Sequence, residues 1–235
     1  KGGALTIAVV TKPFSFEGNR SVAIVGRSGV GKTTLLNILA ALEQPTAGKV
    51  HIGETCVTDL ARKGDDVARF RGKNIGYIFQ FHHLFPEFDA LENVAMPLFL
   101  QGVSKADALA QAADLLAQVG LKERATHRPG ALSGGEQQRV AIARAISTKP
   151  GVLLADEPTG NLDQQTGFQV VNLLVELQKT RGMTLVVVTH SFQIAALMDR
   201  VVELTPQVMI ERTKDQLFAS RESGRASGGA REPRR

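Results

Sequence analysis

The sequence predicts an α/β fold: a mostly parallel sheet with a phosphate-binding loop, an antiparallel β layer and an inserted helical lobe. Three observations predict it. Short apolar runs suited to buried strands alternate with helix-forming stretches. A glycine-rich loop joins one such run to a helix. Between them, residues 81–130 carry two helix-like segments and no convincing strand.

Taken in order, residues 4–10 read as a first strand, and residues 21–25 (Ser-Val-Ala-Ile-Val) as a buried parallel one. Helix formers follow from Lys32 until Gln44-Pro45-Thr46-Ala47-Gly48 breaks the run. Residues 50–57 read as a strand, and residues 74–79 as a short buried strand ending at Gln80. In the lobe, Ser104 with Asp107 makes a cap signal, Leu109, Ala112, Leu116 and Val119 share one face, and Gly120 stands at the stop. Helices are expected over 133–146 and 164–180, the latter ended by Gly182, and buried strands over 152–156 and 184–189. The division is an α/β core of residues 1–80 and 131–206, a helical lobe of 81–130, and a partly disordered tail of 207–235. Neither an internal repeat nor a long coiled coil is present in the sequence.

With 235 residues, 43% of them hydrophobic and 22% charged, the chain has the composition of a soluble globular protein with a sizeable core. Its net charge of +5 is unevenly spread. Arg221, Arg225, Arg231, Arg234 and Arg235 stand against Glu222 and Glu232, so most of the excess lies in a Gly/Ser-rich tail. That distribution suits anionic lipid better than a nucleic-acid groove, and no nucleic acid is expected. Cys56 is the single cysteine, which rules out an intrachain disulfide and suggests a reducing compartment. No secretory leader is legible and no apolar run approaches the ~20 residues that span a bilayer. Work at a membrane would then be peripheral, from the cytoplasmic face.

Residues 26–34, Gly26-Arg27-Ser28-Gly29-Val30-Gly31-Lys32-Thr33-Thr34, fit the pattern G-x-x-x-x-G-K-[ST] between a strand and a helix. The glycines let backbone N–H groups curl round a polyphosphate, and the helix start adds a partial positive charge facing it. Lys32 would reach the β- and γ-phosphates, and the Thr33 hydroxyl would ligate Mg²⁺. A bland glycine turn has no use for the Lys-Thr pair. The run Val152-Leu153-Leu154-Ala155-Asp156-Glu157-Pro158 delivers two carboxylates to the same sheet edge. There Asp156 would hold the Mg²⁺ hydration shell, and Glu157 would orient the attacking water.

Leu132-Ser133-Gly134-Gly135-Glu136 is locally a capping box, Ser133 answered three residues on by Glu136. A cap alone does not call for two glycines at the first helical positions, where each costs about 1 kcal/mol relative to alanine. Close approach of an anion to the helix start would account for them. The chain therefore has two phosphate-ready helix starts separated by a lobe.

This combination resembles the ATP-binding subunit of ABC transporters over residues 20–200. The resemblance implies a P-loop NTPase core, with ATP and Mg²⁺ as cofactors. It also implies two copies, Ser133, Gly134, Gly135 and Glu136 of one completing the site built on Lys32 of the other. Gln80 corresponds to the glutamine that senses Mg²⁺ and γ-phosphate, His190 to the histidine that contacts the γ-phosphate, and Asn161-Leu162-Asp163 to the loop that crosses the dimer interface. Residues 153–163 look like the branch serving lipoprotein release, macrolide export and the cell-division permease-like complex. Residues 79–88 and 90–98 lean to lipoprotein release, with integral membrane permease subunits as partners and lipoproteins as cargo. Phe79, Phe81, Phe85 and Phe88 would divide between the lobe's own core and a groove for a partner's short helix. His82-His83 has no third ligand at metal-site spacing.

Two departures stand out. Residues 1–13 hold no aromatic to stack on adenine, and Thr205-Pro206-Gln207 replaces the acidic-glycine turn of the family. From another class, a DNA-repair or chromosome-type ATPase shares the nucleotide logic but needs a long coiled-coil insertion where only about a hundred ordinary residues lie.

Overall fold

The computed structural model describes residues 13–63, 67–206, 208–213 and 216. The strand expected over 4–10 and most of the expected tail lie outside them. Its strands are β1 (Ser21–Val25), β2 (His51–Ile52), β3 (Thr55–Cys56), β4 (Ile75–Ile78), β5 (Val152–Asp156), β6 (Thr184–Val188), β7 (Arg200–Leu204) and β8 (Met209–Arg212). The helices are α1 (Lys32–Leu39), α2 (Val57–Lys63), α3 (Val67–Asn74), α4 (Ala90–Leu100), α5 (Lys105–Gln118), α6 (Gly134–Ile146), α7 (Gln164–Arg181) and α8 (Phe192–Ala195).

The main sheet runs β4-β5-β6-β1-β7-β8, parallel throughout except for the antiparallel edge strand β8. Both of its faces are covered, which is why its central strands are continuous apolar runs rather than alternating ones. Successive residues serve opposite cores. Ala23, Leu153, Ala155, Leu185 and Val187 pack with residues of α4 to α7, whereas Ile24, Leu154, Val186 and Val188 pack with Leu35 and Leu36 of α1. At about 1.5–3 kcal/mol for each large side chain taken from water, these interleaved layers dominate the fold's stability.

Sheet order brings the carboxyl ends of β1, β5 and β6 side by side, so the turns that follow all open on one edge. One lock, made of three hydrogen bonds between Ser21 and Asp199, holds that arrangement from the opposite end. Asp199 accepts from the Ser21 amide and hydroxyl, both at 2.8 Å, and the Asp199 amide donates to Ser21 Oγ at 3.0 Å. These bonds hold its carboxyl below the usual carboxylate range, the Ser21 amide first among the causes.

Four local expectations change. Residues 50–57 form the hairpin β2-β3 and the start of α2 instead of one strand, because Gly53 turns the chain at φ 58°. The helix begun at Lys32 stops at Leu39, five residues before the expected breaker. The buried face of α5 runs through Ala108, Ala112, Leu115 and Leu116, with Leu109 at its margin. Finally, residues 209–212, expected within the tail, are β8, tied to β7 by Arg200–Glu211 and Arg212–Glu203 ion pairs at 2.8 Å.

Candidate functional site

At the end of β1 the chain turns through Gly29 (φ 77°) and Gly31 (φ 98°), left-handed conformations that a side chain would strain. Gly26 is confined for another reason: a Cβ there would lie 2.6 Å from the Leu204 carbonyl. Helices α4 to α8 each start on a side-chain cap, whereas α1 starts on Gly31 with none. Its first amides are therefore left for an anion. Lys32 is buried, and its Nζ donates to the Gly26 and Arg27 carbonyls at 3.0 and 3.1 Å. The Val30 amide closes the loop on the Arg27 carbonyl at 3.3 Å.

Next to this loop, β5 delivers Asp156, a buried carboxylate that accepts from Thr33 Oγ1 at 3.3 Å. Burial pushes its carboxyl up, the Thr33 bond opposes that, neighbouring Glu157 raises it and Lys32 lowers it. Glu157 takes the left-handed region at φ 45°, its amide donating to the Val188 carbonyl at 2.9 Å. That bend swings its carboxylate back over β6. Glu157 Oε2 lies 2.9 Å from His190 Nδ1, and the His190 amide donates to the same oxygen at 3.4 Å. The contact is an ion pair when the imidazole is protonated and an Nδ1–H hydrogen bond when it is neutral. Ser28, Gly29, Gly31, Lys32, Thr33, Thr34, Gln80, Glu157 and His190 line one cleft of about 380 Å³.

For a cation, Thr33 in the cleft and Asp156 bonded behind it offer hard oxygens. Among the described residues no group of three or more His, Cys, Asp or Glu could hold a metal. So sparse an oxygen set fits Mg²⁺, which keeps several waters and takes phosphate oxygens as ligands.

The start of α6, the second helix start expected to face phosphate, lies outside this cleft. Ser133 and Glu136 form the full capping box of α6, Glu136 Oε2 accepting the Ser133 amide at 2.8 Å. Arg124 adds a 3.0 Å contact to the other Glu136 oxygen, and Glu136 is held below its usual carboxylate range, chiefly by Ser133. Gly135 has an intrachain use that was not expected. A Cβ on Gly135 would lie 2.5 Å from Thr166 Cγ2, and one on Gly134 would lie 3.4 Å from Leu162. Gly135 lets the starts of α6 and α7 approach closely. Asp163 is the N-cap of α7, accepting the Thr166 amide at 3.0 Å.

Residues 12–160 match the family model described as "ABC transporter". The chain belongs to that family. Its curated relatives include the lipoprotein-releasing system ATP-binding protein LolD of Geobacter metallireducens, 55% identical over 78% of this chain and 81% of that protein. LolD of Idiomarina loihiensis is 46% identical over 85% of this chain and 87% of that protein. Among solved structures, the ATP-binding cassette MJ0796 in a dimeric post-hydrolysis state bound to ADP and Pi is 38% identical. It covers 86% of this chain and 88% of its own with a TM-score of 0.76. The chain is thus an ATP-binding subunit and an ATPase of the ABC type, built on a P-loop NTPase fold.

The junction after Gln80 is held in part by Arg144 and Asn93, which sequence patterns did not flag. The Gln80 carbonyl accepts from Asn161 Nδ2 at 3.2 Å. Arg144, on α6, donates from Nη2 to the His82 carbonyl and from Nη1 to the His83 carbonyl, both at 2.7 Å. Asn93, wholly buried on α4, accepts the Phe85 amide at 2.8 Å and turns its amide toward the Phe85, Phe88 and Asp89 carbonyls. For Arg144 and Asn93 the only advance signal was polarity within an otherwise apolar helix face. Burial first, then His83 and Arg144, pulls the His82 imidazole below its ordinary value.

Proposed function

We propose that this chain powers the release of lipoproteins from the bacterial inner membrane, working as two copies docked on LolC/LolE-like permease subunits at its cytoplasmic face. One observation carries the two-copy part of the reading. Lys32, Thr33, Gln80, Glu157 and His190 line one cleft, while Ser133, Gly134, Gly135 and Glu136 stand outside it. A single chain then offers each nucleotide half a site. A second copy placed head to tail supplies the other half and buries two ATP molecules between them.

In that arrangement the α1 amides and Lys32 hold the β- and γ-phosphates, Lys32 exchanging its loop carbonyls for phosphate oxygens. Mg²⁺, held by Thr33, Asp156 and Gln80, would neutralise the charge that develops on the phosphate oxygens. Glu157 orients a water in line with the γ-phosphorus and takes its proton, and His190 fixes the Glu157 carboxylate through Nδ1. The partner copy's glycine-opened α6 start stabilises the same γ-phosphate. Loss of the γ-phosphate removes contacts made only in the closed pair, so the copies separate.

The choice of cargo rests on relatives named as lipoprotein-releasing proteins at about half identity over most of the chain. Among the described residues no helix is long and apolar enough to cross a membrane, which leaves the membrane work to partners. Phe81 and Phe85 are exposed beside the Gln80 junction, in the segment 81–130 proposed as the lobe that passes motion onward. Affinity purification from detergent-solubilised membranes tests the assignment. Two permease-type subunits of a lipoprotein-releasing complex should accompany the chain; a macrolide-exporter or cell-division permease in their place would reassign it.

A further inference from the structure

The segment after Gln80 is held by three elements. Asn161, beyond the catalytic strand β5, grips the Gln80 carbonyl; Arg144, on α6, grips the next two carbonyls but one; Asn93, on lobe helix α4, grips the turn at 85–89. Arg144 does the least ordinary work. Two consecutive chain oxygens converge on one guanidinium only if the peptide between them turns sharply, and His83 supplies that turn at φ 46°. A side chain resists this conformation, so the turn persists because something fixes it. The planar fork of arginine does so with two short charge-assisted bonds, a geometry an ammonium cannot copy.

Arg144 also sits in the last turn of the helix that Ser133 caps and whose first turn carries Glu136. We infer that Arg144 is a positioning residue for ATP hydrolysis: its guanidinium makes the glycine-opened start of α6 and the Gln80 junction move as one body, setting where the Gln80 side chain points in the cleft. The inference rests on the proposed role of Gln80 at the γ-phosphate. The Gln80 side chain lies close against Gly160, where an added Cβ would come 3.3 Å from its Nε2. A small slip of the 82–83 turn therefore moves Gln80 out of register with Thr33 and Glu157, costing rate without uncovering the loop that binds phosphate.

A double-mutant cycle on the full chain tests this, with Arg144→Lys as the main variant and Arg144→Gln as the second. Arg144→Lys should unfold within a few degrees of the wild type, lower kcat about tenfold and leave KM for ATP within about twofold. In a Gln80→Ala background the same substitution should cost less than about twofold, because the side chain through which it acts is already gone. Four results would overturn the inference: wild-type kcat in Arg144→Lys, an equal loss with and without Gln80, a loss confined to KM, or failure of both Arg144 variants to fold. Unchanged kcat in Gln80→Ala alone would instead remove Gln80 from the site, and this inference with it.

Discussion

Glu157 and His190, 33 residues apart, meet at 2.9 Å through Oε2 and Nδ1, with Glu157 bent into the left-handed region at φ 45° to make the contact. A non-glycine residue holds that conformation only when its surroundings compensate, and here the β6 carbonyl of Val188 and the His190 ring both do so. The strain points the carboxylate into the cleft instead of along the strand. Glu157→Gln keeps the shape and removes the base. Hydrolysis should fall by at least about a hundredfold while ATP affinity stays within about twofold by fluorescence titration. A variant that still turns over ATP near the wild-type rate would take Glu157 out of the mechanism.

Lys32 spans the loop, its Nζ bonded to two carbonyls of the turn it must close around phosphate. Lys32→Ala removes a buried cation whose hydrogen-bond partners are both backbone carbonyls, so the fold survives and the anion loses its main counter-charge. ATP affinity should drop by an order of magnitude or more, read by calorimetry. Unchanged affinity would contradict the phosphate assignment.

Gly135 serves two purposes that can be separated. A Cβ at this position meets Thr166 Cγ2 at 2.5 Å, so Gly135→Ala should destabilise the chain by about 1–3 kcal/mol in urea unfolding, despite alanine's better helix propensity. Adding Thr166→Ser deletes the obstructing methyl and should recover the stability. Hydrolysis should stay low in the double variant if the glycine also makes room for a partner's nucleotide; full recovery of both would leave packing as its sole role.

Much of this site was readable in advance because it is contiguous. Residues 26–34 and 152–158 carry both their chemistry and their strand-to-turn context within a few positions, and both-sided burial made the central strands plain apolar runs. What escaped notice depends on distant partners. Arg144 answers backbone carbonyls 61 and 62 residues away, which no spacing announces. The strand β8 is a half-exposed edge flanked by Arg200–Glu211 and Arg212–Glu203 pairs, with no clear apolar alternation. The hairpin at 51–56 has two residues per strand, too few for a period to emerge. The Gly134-Gly135 pair shows the converse, since the sequence suggested an anion and the structure adds a helix neighbour.

Asp199 gives a pH-dependent stability term. Its pKa is depressed in the folded chain by the Ser21 amide and hydroxyl, so its contribution is present above the unfolded value, near 3.8, and fades as pH falls through the lower folded value. Asp199→Asn should cost about 1 kcal/mol at neutral pH, the scale of a hydrogen bond. The gap between variant and wild type should narrow below about pH 4. A gap that is constant from pH 7 to pH 3 would show that the charge is irrelevant to the β1–β7 lock.

Assembly is the claim on which the mechanism turns, and sedimentation velocity on the hydrolysis-blocked Glu157→Gln chain addresses it most directly. With ATP the boundary should move from one copy to two, and Ser133→Arg on the same chain should abolish the shift while leaving nucleotide bound. A boundary that stays at one copy under saturating ATP, or a pair indifferent to both ATP and Ser133, would contradict the account.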